Sequence, residues 1–226
     1  MPERIALIHA LADSVDPIHA AFGRHWPEAV TFDLLDTALS ADLAAAGRLT
    51  PAIHDRFGVL GRYAAATEGI GGRTRAILFT CSAFGPAIDA VKAELPIPVL
   101  KPNEAAFAAA LRRGKRIGLL VTFGPSLPAL NTELKQMAAE TGQPLDLEAG
   151  LVPDALAALK AGDARQHDRL IAEAAQRLPP LDALILGQFS MARAASAVAS
   201  SLDCPVITTP DAAVLALKSV LGVAAM

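Results

Sequence analysis

Ala76-Ile77-Leu78-Phe79-Thr80-Cys81-Ser82-Ala83-Phe84 runs four apolar residues directly into a small, polar turn. An unbroken apolar run without alternation suits a parallel strand buried on both faces. Five further runs follow the same rule: Ile5-Ala6-Leu7-Ile8, Val99-Leu100, Ile117-Gly118-Leu119-Leu120-Val121, Ala183-Leu184-Ile185-Leu186 and Val206-Ile207. Val30-Thr31-Phe32 and Leu145-Asp146-Leu147 are weaker members of the set. Between them lie stretches of helical period, at about 16–24, 42–68, 86–94, 103–113, 126–141, 154–161, 164–177, 191–201 and 211–222. Strands alternating with helices predict an α/β fold with mainly parallel sheets and right-handed crossovers.

The composition fits. The chain has 226 residues, 53% hydrophobic and 19% charged, with a net charge of -3. Alanine supplies about a fifth of it, which favours helices over an all-β fold. An aromatic share of 4% and a slightly acidic balance argue against a nucleic-acid surface. Mean hydropathy is +0.39, yet no apolar run approaches the roughly 20 residues that span a bilayer, so no membrane partner is expected. Met1-Pro2-Glu3-Arg4-Ile5 leads into a strand without a basic segment and apolar signal core, and a cytoplasmic location is expected. Two cysteines, Cys81 and Cys204, without clustered histidines make neither a zinc site nor, in a reducing compartment, a disulfide.

The chain also repeats itself. Arg4–His9 resembles Arg116–Val121 at an offset of 112. Ile77–Cys81 aligns with Leu184–Gln188, and Pro98–Ala106 with Pro205–Ala213, both at an offset of 107. Matched blocks in one order indicate a duplicated α/β lobe, with residues 1–113 plus 208–226 forming the first and 114–207 the second. Arg112-Arg113-Gly114-Lys115-Arg116 marks the boundary and reads as a solvated helix end. The offset makes Cys81 and Gln188 equivalent strand ends.

Ligands of open α/β sheets bind beyond the carboxyl ends of strands. The residues there are His9; Cys81, Ser82 and Ala83; Lys101; Thr122, Phe123, Gly124 and Ser126; and Gln188, Phe189 and Ser190. The set is small, polar and short of carboxylates, which suits an anion held by backbone N–H groups at helix N-termini. A helix N-terminus also lowers a thiol pKa, which would make Cys81 a thiolate at neutral pH; an inert buried cysteine is the alternative. His9 is the second titratable candidate, as acid/base or as a structural histidine. Gly124 reads as a close backbone approach, Phe123 as a wall and Ser126 as a helix N-cap.

Ala76–Phe84, Arg116–Ser126 and Asp182–Ser190 together resemble the aspartate/glutamate/hydantoin racemase superfamily, which also contains maleate isomerase and arylmalonate decarboxylase. The resemblance implies two pseudo-symmetric Rossmann-like lobes, each a mainly parallel four-stranded sheet flanked by helices. It further implies a cofactor-independent active site in the inter-lobe cleft, with one cysteine per lobe acting on opposite faces of a substrate α-carbon. Cys81 falls on the first-lobe cysteine, with Ser82-Ala83 where racemases commonly carry Asn-Thr. Thr122–Ser126 falls on a loop that helps hold a substrate carboxylate. In the second lobe racemases read Leu-Gly-Cys-Thr-His, whereas this chain reads Leu186-Gly187-Gln188-Phe189-Ser190. Both the second cysteine and its histidine are missing.

Gln188 has no titratable proton near neutral pH, so symmetric two-thiol racemisation is not expected. The resemblance then implies a cofactor-independent lyase or isomerase acting at the α-carbon of a small carboxylate, with Cys81 as single acid/base or nucleophile. The decarboxylase branch also uses one cysteine, but in the second lobe, the mirror of this arrangement. The alternatives are an amino-acid or hydantoin-type racemase using Cys81 with His9, and a non-catalytic small-acid binding protein. Related folds often pair, so a homo-oligomer, possible as a dimer, is expected; no metal is.

Overall fold

The computed structural model describes residues 2–223, which divide into two compact units. One runs to Pro102 and resumes at Ala213, and the other is Asn103–Ala212. The first unit contains β1 (Arg4–His9), α1 (Val15–His25), β2 (Val30–Leu35), α2 (Ala38–Ala46), α3 (Pro51–Ala66), β3 (Glu68–Gly69), β4 (Gly72–Phe79), α4 (Gly85–Glu94) and β5 (Val99–Leu100). The second contains α5 (Glu104–Leu111), β6 (Arg116–Val121), α6 (Ser126–Glu140), β7 (Asp146–Leu151), α7 (Pro153–Lys160), α8 (Ala164–Gln176), β8 (Ala183–Leu186), α9 (Ala195–Ala199) and β9 (Val206–Thr208). The change of unit at Ala212/Ala213 falls within α10 (Thr209–Val220).

Both sheets have one topology. In the first unit β2, β1, β4 and β5 pair in parallel in that order, and in the second β7, β6, β8 and β9 do the same. Each apolar run seen in the sequence is a strand, and the two weaker ones become the outer strands β2 and β7. The repeat thus appears as two copies of a four-stranded parallel sheet. The first carries one addition, the short hairpin of β3 on the start of β4, which turns through Gly71 and Gly72 at φ +86°. Left-handed backbone of that kind favours glycine.

Helices differ from expectation in two places. The stretch 42–68 is two helices, because Gly47 closes α2 in the left-handed conformation at φ +66° and Thr50 starts α3. Thr50 Oγ1 accepts from the Ile53 N–H at 3.3 Å, with Pro51 as first helical residue. The stretch 191–201 opens as a 3-10 turn, Phe189–Ala194, before becoming α9. The boundary drawn at residue 113 would also leave α5 with the first lobe. Instead its buried face, Ala106, Phe107, Ala110 and Leu111, joins Ile117, Leu119 and Val121 of β6 in one apolar cluster with Leu130 and Leu134 of α6. The opposite face of that sheet, Leu120, Leu184 and Leu186, packs on Ala155, Ile171, Ala175, Met191 and Val198. Helices therefore cover both faces, which is why the strands read as continuous apolar runs.

In the first unit an aromatic cluster holds the end of β4. Phe57 of α3 lies 5.1 Å from Phe79, the last residue of β4, and 4.9 Å from Phe84, five residues on. All three rings are buried. They clamp both sides of the turn carrying Cys81. Replacing Phe57 with alanine should cost about 3–5 kcal/mol of unfolding free energy by denaturant titration; a loss below about 1 kcal/mol would show that the cluster does not anchor this turn.

Candidate functional site

Parallel pairing brings chosen residues to the carboxyl end of each sheet. In the first unit β1 ends at His9, and the Thr80 N–H extends its pairing with β4 by donating to Ile8 O at 3.0 Å. Cys81 follows in extended conformation (φ −116°, ψ 119°) as N-cap of a 3-10 turn, Ser82–Phe84. In the second unit the Gly187 N–H donates to Leu120 O at 2.8 Å, and Gln188 (φ −138°, ψ 147°) is N-cap of the 3-10 turn that begins at Phe189. Cys81 and Gln188 each stand two residues beyond their strand, so their equivalence is structural.

Cys81 is half-buried, and its sulfur meets the Ala83 N–H and the Ser40 hydroxyl. Ser40 lies on α2 and donates its one proton to Ala10 O at 2.9 Å, just past β1. It therefore accepts from a neutral thiol without strain, but must give up Ala10 to serve a thiolate. Burial pushes the Cys81 thiol up to about 11, outweighing the Ala83 N–H and Ser40, which pull it down. Burial thus works against the thiolate that the helix start suggests, and the turn offers few N–H groups to offset it.

His9 is fully buried and held at both ring nitrogens. Nε2 lies 2.9 Å from Asp33 Oδ1 and Nδ1 lies 2.8 Å from Thr80 Oγ1. A carboxylate only accepts, so Nε2 carries the proton, while the Thr80 hydroxyl stands 2.8 Å from Nδ1 and 3.4 Å from Ile8 O. Burial and a partner at each ring nitrogen suit the structural role considered for His9. It positions Thr80, the residue before Cys81. His19 of α1 also reaches this network: its Nε2 lies 2.9 Å from Asp33 Oδ2. Burial lowers the His9 pKa from 6.5, against the pull of Asp33. A histidine depressed in the folded state binds its proton less readily than the unfolded chain does. Stability is then full above pH 6.5 and falls as pH drops from there toward the folded value. This component should vanish in His9→Asn when unfolding free energy is followed between pH 7.5 and about 5; equal slopes for both proteins would contradict a neutral, buried His9.

In the second unit Gln188 Oε1 accepts from Thr122 N at 2.6 Å, Thr122 Oγ1 at 2.8 Å and Phe123 N at 3.2 Å. Thr122 is buried and Phe123 half-buried. At Gly124 an added Cβ would meet only Leu151 Cδ2 at 3.7 Å, so packing within the protein does not itself demand glycine there. Nor is Ser126 the N-cap: it is the first residue of α6 and buried, with Pro125 before it. Phe189 is buried, and Ser190 half-buried beside it. The structure thus gathers His9, Cys81, Ser82 and Ala83 in one unit, and Thr122, Phe123 and Gln188 in the other. Lys101 pairs with Asp89 at 3.2 Å, and Cys204 lies at the opposite, amino end of β9.

Sequence reasoning missed Asp33, Ser40 and Thr80. Asp33 had a signal, a carboxylate inside the apolar β2; Thr80 adjoined a chosen residue; Ser40 sits in an alanine-rich helix with nothing to mark it. Among the described residues no group of three or more His, Cys, Asp or Glu is arranged to hold a metal ion, and no helix is long and apolar enough to cross a membrane.

Two parallel sheets of one topology, each followed by a capped turn, define a duplicated α/β protein. The profile of the Asp/Glu/hydantoin racemase family matches residues 15–217, and the chain belongs to that family. Solved structures of the same fold include a glutamate racemase isoform from Bacillus anthracis, with TM-score 0.72, 15% identity and coverage of 97% of this chain and 82% of that one. The allantoin racemase of Pseudomonas fluorescens matches with TM-score 0.69 at 18% identity, over 99% of this chain and 94% of that one. Picrophilus torridus aspartate racemase matches with TM-score 0.69 at 13% identity, over 97% and 94%. Comparison with curated proteins returns no match.

Proposed function

We propose that the chain is a lyase or isomerase acting at the α-carbon of a small carboxylate, with Cys81 as its proton donor. What supports this reading is a cysteine just past the carboxyl end of β4 whose sulfur meets the Ala83 N–H and the Ser40 hydroxyl, with burial pushing its thiol up to about 11. A buried thiol of that kind is a poor nucleophile and a poor resting base, but it holds a proton ready for a carbon.

The step that suits it is protonation of an enediolate. A malonate-type acid loses one carboxylate as CO2, and the bonding pair stays on the α-carbon, delocalised into the remaining carboxylate. Cys81 gives its S–H proton to that carbon, the new C–H bond takes the electron pair, and the resulting thiolate recovers a proton from water. A substituted α-carbon is far more basic than a thiolate, so the transfer runs downhill. Ser40 supports both states, accepting from the thiol and turning its proton toward the thiolate formed during the step. Two-base racemisation needs a second proton-transfer group. His9, committed to Asp33 and Thr80, does not supply one, and Gln188 has none to give.

The test is a panel of α-substituted malonates and α-amino acids, assayed for CO2 release and for exchange of the α-hydrogen in heavy water. For a malonate that is turned over, the product should carry one deuterium at the α-carbon in a single configuration. Cys81→Ala should lower that turnover by about 10²–10⁴-fold. Unchanged turnover in Cys81→Ala would remove Cys81 from the chemistry. Tight binding of acids with no reaction across the panel would favour a binding protein.

A further inference from the structure

Gln188, two residues beyond β8, has its side chain firmly oriented. Two backbone N–H groups, Thr122 and Phe123, converge with the Thr122 hydroxyl on one oxygen, Oε1, at 2.6–3.2 Å. A flipped amide would press an NH2 against those two N–H groups, so the orientation is settled by the donors. The backbone on which it stands is fixed as well. Asn103 Nδ2 donates to Gly187 O at 2.8 Å, the Gly187 N–H donates to Leu120 O at 2.8 Å, and the next side chain, Phe189, is buried. Gly187 has no room for a side chain, since a Cβ there would meet Leu119 Cδ1 at 2.9 Å and Val121 Cγ1 at 3.0 Å.

With Oε1 tied inward, Nε2 turns away from the loop. Gln188 is half-buried, and this NH2 makes no hydrogen bond to any described residue. Two N–H donors are thus left at the carboxyl end of a parallel sheet, where such folds take their ligands. An amide in this place can donate but cannot exchange a proton with carbon.

We propose that Gln188 is a substrate-binding residue, presenting its Nε2 donors to a carboxylate oxygen of the ligand while the Thr122–Phe123 loop holds Oε1. It rests on the proposed function for the substrate class and deepens it. The loop N–H groups then serve Gln188 rather than the ligand. Donors fixed before the reaction strengthen with developing charge and need no reorganisation.

The experiment is a 15N-amide titration with malonate. The Gln188 side-chain pair is assigned by its absence in Gln188→Glu, which keeps an oxygen for the three loop donors. Malonate should move that side-chain pair downfield and leave the Thr122 and Phe123 backbone amides in place, and Gln188→Glu should weaken malonate binding by about tenfold or more. Large shifts of the Thr122 and Phe123 amides, with the Gln188 pair moving to the position of a free amide, would show the anion taking the loop itself and overturn the proposal. A Gln188 pair that does not respond to malonate would overturn it too. The same titration on Cys81→Ala separates the two readings: the amide shift should persist without the thiol, whatever becomes of turnover.

Discussion

Parallel pairing of β1 with β4, and of β6 with β8, is the constraint on which the remaining structure depends. Helices on both sides leave the paired central strands largely apolar, and open α/β sheets take ligands at the carboxyl ends, where pairing stops and helices or 3-10 turns begin. In each unit the same step occurs. The central strand pair is extended by one N–H, Thr80 to Ile8 or Gly187 to Leu120, and the residue after it points out of the sheet as a cap. A cysteine in one copy and a glutamine in the other then meet different neighbours, and the division of labour follows from those neighbours.

The two caps are tied to the same place in their sheets by different means. In the first unit the chain just past β1 reaches the cap through an intermediary: Ala10 O accepts from Ser40, which meets the Cys81 sulfur. In the second the chain past β6 binds the cap directly, through Thr122 and Phe123 on Gln188 Oε1. Burial disfavours the Cys81 thiolate, whereas three donors on its oxygen orient the Gln188 amide.

Much of the fold was legible because its strands are buried on both faces. Runs such as Ile117–Val121 admit no solvent-facing residue, and the offset between repeats placed Cys81 and Gln188 at matching ends before any geometry was known. The split near Gly47 and Pro51 was written in residues that break helices, yet the alanine-rich period on either side concealed it. The placement of α5 depended on which core receives Phe107, a tertiary choice that a periodic pattern does not encode. The site was less legible than the fold for the same reason. The state of Cys81 is set by desolvation, and the fate of His9 by Asp33 and Thr80, which are 24 and 71 residues away in the chain. Local sequence showed a thiol at a helix start and suggested a thiolate; burial acts in the opposite direction.

The central claim is that Cys81 carries its proton at neutral pH, ready for carbon. The most direct measurement is a pH titration of the S–H stretching band in the infrared difference spectrum between the protein and its Cys81→Ala variant. The account predicts a band present at pH 7, still present at pH 9, and lost only near pH 11. A band absent at pH 7, or lost at or below the ordinary thiol value of about 8.5, would contradict it.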